Sequence, residues 1–157
     1  MTTPHSSPAV RLEELHILLV DDDSSFLDFV EAILKAFGVR KITRASSGLE
    51  VYQFFRGQPA VVDCIVSDFS MAEGNGLQLL QAMRTGNVPN VRPDVPFVLL
   101  TMSGDEATVR AAMQLDVSSY LVKPVTPVKI KEAIVKARTR SFSLDVERYK
   151  RLAIPVS

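Results

Sequence analysis

The stretch His16-Ile17-Leu18-Leu19-Val20-Asp21-Asp22-Asp23 decides how this chain folds. Its apolar residues run without alternation, which describes a strand buried on both faces, and the strand ends abruptly in acid. Phe26, Phe29, Val30, Ile33, Leu34 and Phe37 then recur at helical spacing, and Gly38 stands at the usual position just past a helix C-terminus. A doubly buried strand feeding directly into an amphipathic helix is the first half of a parallel crossover unit, because parallel neighbours need a connection that covers the sheet.

The pattern recurs downstream. Val39 to Ala45, Val61 to Val66 (closing at Asp68), Val95 to Leu100 (closing at Thr101) and Ser119 to Val122 read as four further strands. Helices are expected at about Ser47 to Arg56, burying some of Leu49, Tyr52, Phe54 and Phe55 and ended by Gly57 and Pro59, and at about Leu77 to Arg84 after a turn holding Gly74 and Gly76. Another has Ala111, Ala112 and Leu115 on one face, and a last one from about Pro127 buries Ile130, Ala133, Ile134 and Ala137. Right-handed crossovers then give an α/β fold: a doubly wound five-stranded parallel sheet with five helices, in the flavodoxin-like order 2-1-3-4-5.

Working outward, residues 1–14, with Pro4, Ser6, Ser7 and Pro8, read as a flexible N-terminal arm that orders only near Leu12 and Leu15. The folded unit is expected at 15–137. Residues 138–157 form a C-terminal extension with one short helix, about Leu144 to Leu152, outside the core. Gly86 to Pro96, carrying Pro89, Pro93 and Pro96, reads as an extended surface loop.

Composition narrows the function classes. The 157 residues are 46% hydrophobic, enough for one domain with a real core. Eighteen basic and eighteen acidic side chains cancel, so no global field attracts nucleic acid or an anionic membrane. Cys64 is the single cysteine and His5 and His16 are the only histidines, which leaves no disulfide and no Cys/His zinc constellation. No signal peptide is apparent, and apolar runs fall far short of the roughly 20 residues that span a bilayer. A cytoplasmic protein is expected.

The strand ends carry the chemistry. In an open α/β sheet the ligand site lies beyond the carboxyl ends of the strands at the topological switch point, here between strands one and three. Asp21, Asp22 and Asp68 stand there. Crowded carboxylates repel one another unless a cation sits among them, and a hard ion such as Mg²⁺ suits few carboxylates, waters and phosphate oxygens. Thr101 and Lys123 close strands four and five with a hydroxyl donor and an ammonium, which a phosphoryl group on a carboxylate would need. Singly, each has a bland reading: Asp23 or Ser24 as an N-cap, Asp68 as a turn residue, Thr101 as a β-branched strand end, Lys123 as a solvated charge. Their convergence on one sheet edge favours function.

At these residues the chain resembles the receiver domain of two-component response regulators. Ile17-Leu18-Leu19-Val20-Asp21-Asp22 is similar to the family's first-strand acidic motif, and Ile65-Val66-Ser67-Asp68-Phe69-Ser70-Met71 with Gly76 to its phosphoacceptor strand and turn. Val98-Leu99-Leu100-Thr101 and Tyr120-Leu121-Val122-Lys123-Pro124 match the other two signatures, over about Leu15 to Ala137. The strand order above is also that of the family's chemotaxis member, so it is partly implied by the resemblance.

The resemblance implies that Asp68 is the phosphoacceptor, that Asp22, Asp68 and the backbone carbonyl of Ser70 ligate Mg²⁺, and that Asp21 helps through water. Lys123 and Thr101 would bind the phosphoryl oxygens. Tyr120 would turn inward as Thr101 moves, changing the face made by the fourth helix, fifth strand and fifth helix, through which a downstream protein target is engaged. The donor would be a sensor histidine kinase or a histidine phosphotransfer protein. Catalysis would be confined to the chain's own phosphorylation and dephosphorylation. Since 138–157 is too short for a DNA-binding output domain, the expectation is a stand-alone regulator of the chemotaxis type or a phosphorelay shuttle.

Two departures stand out. Ala72 occupies a place where the family usually has proline, and Met102 follows the switch threonine where a small residue is usual. Met102 either hoods the site and restricts access or packs aside. Cys64 reads as a small buried hydrophobe and His16 as structural. Two rival functions remain open at this point. One is a receiver-shaped adaptor that is never phosphorylated. The other is a haloacid-dehalogenase-like phosphatase, suggested by Asp21-Asp22-Asp23 but lacking an acidic pair after Lys123 and room for a cap domain.

Overall fold

The structure, a computed structural model, describes residues 9–57, 60–102 and 104–155. A 3-10 turn at Leu12–Glu14 leads into β1 (His16–Val20), α1 (Ser24–Ala36), β2 (Lys41–Ala45), α2 (Gly48–Gly57), β3 (Cys64–Asp68) and α3 (Gly76–Arg84). There follow β4 (Phe97–Thr101), α4 (Glu106–Gln114), β5 (Ser119–Val122), α5 (Pro127–Thr139) and α6 (Val146–Arg151). The strands pair in parallel in the order β2-β1-β3-β4-β5, as expected from the sequence. The sixth helix is the short one in the C-terminal extension. Pro4, Ser6, Ser7, Pro8 and Pro59, which carried expectations for the arm and a helix stop, lie outside the described residues.

The sheet divides the core into two layers, and the period of two along each strand does the sorting. Ile17, Leu19, Cys64, Val66, Val98 and Leu100 face α1 and α5, where Leu27, Val30, Ile33, Leu34, Ile130, Ala133 and Ile134 meet them. Leu18, Val20, Ile65 and Leu99 face the other way, onto Val51 and Phe55 of α2, Leu77, Leu80 and Met83 of α3, and Ala111 and Ala112 of α4. The structure resolves which residues each helical face buries. Leu27 is buried in α1 where Phe29 is exposed, and Val51 and Phe55 are buried in α2 where Leu49 and Tyr52 are exposed. The 3.6-residue period admits only one arc to the sheet, so of the α2 residues offered by the sequence Phe55 is buried and Leu49 and Tyr52 are not.

The C-terminal extension also departs from expectation, because its helix belongs to the core. Tyr149 is 0% exposed and packs in the α2–α4 layer. Its hydroxyl donates to Asp116 Oδ2 at 2.6 Å, and Gln81 Nε2 on α3 donates to the carbonyls of Tyr149 and Leu152. Beneath lies Arg84, also 0% exposed, whose guanidinium donates to the carbonyls of Pro93, Val95, Leu115 and Asp116 and lies under the Phe142 ring. Burial lowers its pKa to about 10, so it stays charged at neutral pH. The 86–96 segment is held likewise: Val88 and Val95 are buried, and left-handed Asn90 (φ 62°) donates from Nδ2 to the Phe55 carbonyl. Leu12 and Leu15 are buried against the α1/α5 layer.

Candidate functional site

Every strand but β2 ends in a side chain aimed at one place. Asp21 follows β1, Asp68 and Thr101 are the last residues of β3 and β4, and Lys123 follows β5 at a cis Lys123–Pro124 peptide. Parallel register sets these ends level: Val20 pairs with Ser67, Asp68 with Leu100 and Thr101 with Val122. Asp21, Asp68 and Thr101 are buried, whereas Asp22 is exposed beside them. Lys123 reaches across β4, placing Nζ 2.9 Å from Asp68 Oδ1 and 3.5 Å from Asp21 Oδ2.

Backbone amides hold two of the carboxylates in place. Asp21 Oδ1 accepts from the Asp23 N–H at 2.9 Å, and Asp22 Oδ2 accepts from the Ala72 N–H at 2.8 Å, tying β1 to the loop after Asp68. Asp23 caps α1, accepting from the N–H groups of Ser25 and Phe26. It is therefore the N-cap of the three consecutive aspartates, which leaves Asp21 and Asp22 for chemistry.

Gly76 explains the turn after Asp68. Its N–H donates to the Phe69 carbonyl at 2.8 Å, and a Cβ built there would lie 2.4 Å from the Asp68 carbonyl oxygen and 2.7 Å from Leu99 Cδ1. Only glycine lets α3 start so close to the strand end. Asn75 then caps α3 in a reciprocal box with Gln78, and its Nδ2 donates to the Pro155 carbonyl. The Asn75-x-x-Gln78 spacing was visible in the sequence as a capping signature; the Pro155 contact was not.

Electrostatics single out the same residues. Burial pushes the Asp68 carboxyl above its ordinary range, with the Lys123 hydrogen bond and charge opposing and the Asp22 charge adding. Burial likewise raises Asp21, where Asp68 and Asp22 add and the Asp23 amide and Lys123 oppose. Asp21 Oδ2 is buried and accepts no hydrogen bond, though it lies within ion-pair range of Lys123. Among the described residues no three His, Cys, Asp or Glu side chains form a closed metal cage. A hard cation that keeps its waters and takes one or two carboxylates nevertheless fits: one of its waters would donate to the orphaned oxygen, and its charge would offset the mutual repulsion.

The hydroxyls of Thr101 and Tyr120 share a hydrogen bond, so the two residues expected to switch together touch directly. Met102 beside them is 75% exposed, and so does not pack aside into the core. Cys64 is buried with its thiol pushed up to about 12 by desolvation, which leaves it inert as a nucleophile. His16 is built into the far end of β1, with Nδ1 2.9 Å from the Val61 carbonyl and Nε2 2.8 Å from Thr43 Oγ1. Phe26 went unnoticed in the sequence as a site residue. Its ring lies under Lys123 Nζ, 3.9 Å from the centroid, and only its place three residues after the N-cap could have flagged it.

A parallel sheet with acid, acid, hydroxyl and ammonium at its carboxyl edge defines a phosphoryl-handling switch of the two-component type. The family model of the response regulator receiver domain matches residues 17–135, and the chain belongs to that family. A probable chemotaxis protein CheY of Rhizobium etli is 35% identical over 78% of this chain and 91% of its own length. The chemotaxis protein CheY1 of Helicobacter pylori strain J99 is 29% identical over 76% and 94%. Among solved structures, a response regulator receiver domain protein from Clostridium thermocellum superposes with TM-score 0.69 at 27% identity, covering 79% of this chain and 94% of that one. The chain is thus a phosphorylation-dependent signalling switch and not a classical enzyme, and nothing in the fold or the relatives supports a haloacid-dehalogenase-like phosphatase. No helix among the described residues is long and apolar enough to cross a membrane.

Proposed function

We propose that Asp68 is the phosphoacceptor, taking its phosphoryl group from a histidine of a sensor kinase or a phosphotransfer protein in the cytoplasm. An Asp68 oxygen attacks phosphorus, the P–N bond breaks, and the imidazole leaves with the bonding pair. Lys123 Nζ faces the developing negative charge, and the Thr101 hydroxyl donates to a phosphoryl oxygen once it moves in. Asp22, Asp68 and the Ser70 carbonyl would hold Mg²⁺, with Asp21 reaching it through water. When bound, the ion neutralises charge on the carboxylates and phosphoryl oxygens.

The reading rests above all on the 2.9 Å contact between Lys123 Nζ and Asp68 Oδ1, made across an intervening strand at a buried edge. An ammonium held there before reaction costs no reorganisation during it. The output follows from the hydrogen bond between Thr101 and Tyr120. A Thr101 hydroxyl recruited to the phosphoryl group leaves Tyr120, which then turns inward and reshapes the α4–β5–α5 face for a downstream protein. Intact-mass analysis after acetyl phosphate treatment, with and without Mg²⁺, tests the assignment. Phosphorylation should require Mg²⁺ and vanish in Asp68→Asn; full labelling of that variant would refute it.

A further inference from the structure

We propose that Phe26 is a positioning residue for Lys123, its ring face forming the third wall of the ammonium's site. The inference rests on the phosphoryl-acceptor reading of Asp68, and it adds a residue that the strand-end motifs do not contain.

Lys123 carries four rotatable bonds, and an unrestrained ammonium of this kind prefers bulk water. Here its side chain is only 14% exposed. Two walls are carboxylates: Asp68 Oδ1 at 2.9 Å and Asp21 Oδ2 at 3.5 Å. The third is the ring of Phe26, 3.9 Å from its centroid to Nζ, well within range for the electronegative ring face to attract a cation. An aliphatic side chain would exclude water equally well. It would not attract the charge.

The ring is itself fixed by its surroundings. The Phe26 N–H donates to Asp23 Oδ1 at 3.3 Å, so the cap that starts α1 also sets the ring beside the acidic pair. Phe29 backs it with centroids 6.0 Å apart, and the inner edge rests on the α1/α5 core layer. A chain of contacts thus runs from helix cap to ring to ammonium to phosphoacceptor. Without the ring face, Lys123 keeps its carboxylate partners but loses the attraction on its third side, and is less often in place when a phosphoryl group arrives.

The test compares Phe26→Leu, which keeps bulk and apolarity, with Phe26→Tyr, which keeps the ring face. In the Mg²⁺-free, unphosphorylated protein the Lys123 ε-methylene protons should be shifted upfield by the ring current. The shift should disappear in Phe26→Leu and persist in Phe26→Tyr. The rate of phosphorylation by acetyl phosphate at saturating Mg²⁺ should fall about five- to tenfold in Phe26→Leu and stay within about twofold of wild type in Phe26→Tyr. Circular dichroism establishes that both variants fold. An unchanged methylene shift in Phe26→Leu would show that ring and ammonium do not meet. A lost shift with an undiminished rate would show that the contact positions nothing. Wild-type protein that takes up no phosphoryl group, or Asp68→Asn that still does, would instead overturn the proposed function, with the NMR shift still deciding the contact.

Discussion

His16 shows how a single side chain can be read twice. Its Nδ1 donates to the Val61 carbonyl and its Nε2 accepts from Thr43, which stitches the entry of β3 to β2 through β1. Burial lowers its pKa below the ordinary 6.5, aided by Lys41 and opposed by the Val61 hydrogen bond and Asp63. The folded state therefore prefers the neutral ring. Its contribution to stability is complete above the unfolded value and is lost as pH falls from about 6.5 through the lower folded value, at no more than ~1.4 kcal/mol per pH unit for one proton. Asp21 and Asp68 act in the opposite sense, their raised values making the folded state less costly in acid. The difference between wild-type and His16→Gln urea melts across pH 5 to 7.5 isolates the histidine, and a pH-independent difference would refute its burial as neutral. Met102 is the second residue to probe. Its side chain is exposed immediately after Thr101, and Met102→Ala tests whether it restricts access: the variant should be phosphorylated faster by a bulky donor than wild type is, with less gain for acetyl phosphate, as followed by intact-mass time courses.

At the scale of elements, α6 carries more than its length suggests. Six residues form no stable helix alone, so Val146–Arg151 exists because Tyr149 is buried and Asp116 gathers Tyr149, Arg148 and Arg140. Asp116 can do so because it turns left-handed (φ 53°) at the end of α4. Tyr149→Ala should cost about 3–5 kcal/mol in a denaturant melt, the range for emptying a buried aromatic site. Tyr149→Phe should cost ~1.5–3 kcal/mol, the worth of a hydrogen bond to a charged group. A midpoint unmoved by Tyr149→Ala would mean that α6 does not dock.

For the whole molecule, the question is how one phosphoryl group moves a distant face. On the proposed reading a phosphoryl group of roughly −1.5 to −2 charges replaces the single negative charge of the Asp68 carboxylate, a net gain of about one, while a nearly complete population switch needs about 5.5 kcal/mol of differential stabilisation. Lys123 contacts Asp68 before any reaction, and Thr101 is hydrogen-bonded to Tyr120; on the proposed reading Lys123 contributes to both conformers and Thr101 is the group whose partner changes. Thr101→Ala should therefore remain phosphorylatable yet lose the phosphorylation-dependent shifts around residues 104–125, measured by NMR with beryllofluoride. An undiminished response would place the switch elsewhere, with Met102 the first residue to examine.

Legible in the sequence alone were the layered parallel sheet and the strand-end residues, since doubly buried strands read as unbroken apolar runs and each run stops where its last residue turns to chemistry; the strand order rested in part on the family resemblance. Tertiary structure decided what depends on groups far apart in the chain. Arg84 looks like an ordinary last-turn arginine, and only the convergence of four carbonyls from two loops makes its burial tolerable. Tyr149 and Pro155 gain their roles from α3, and Phe26 gains its own from a lysine 97 positions later. Period and composition are local properties that a linear reading can recover. The partner of a buried charge is set by three-dimensional packing, and no local pattern records it.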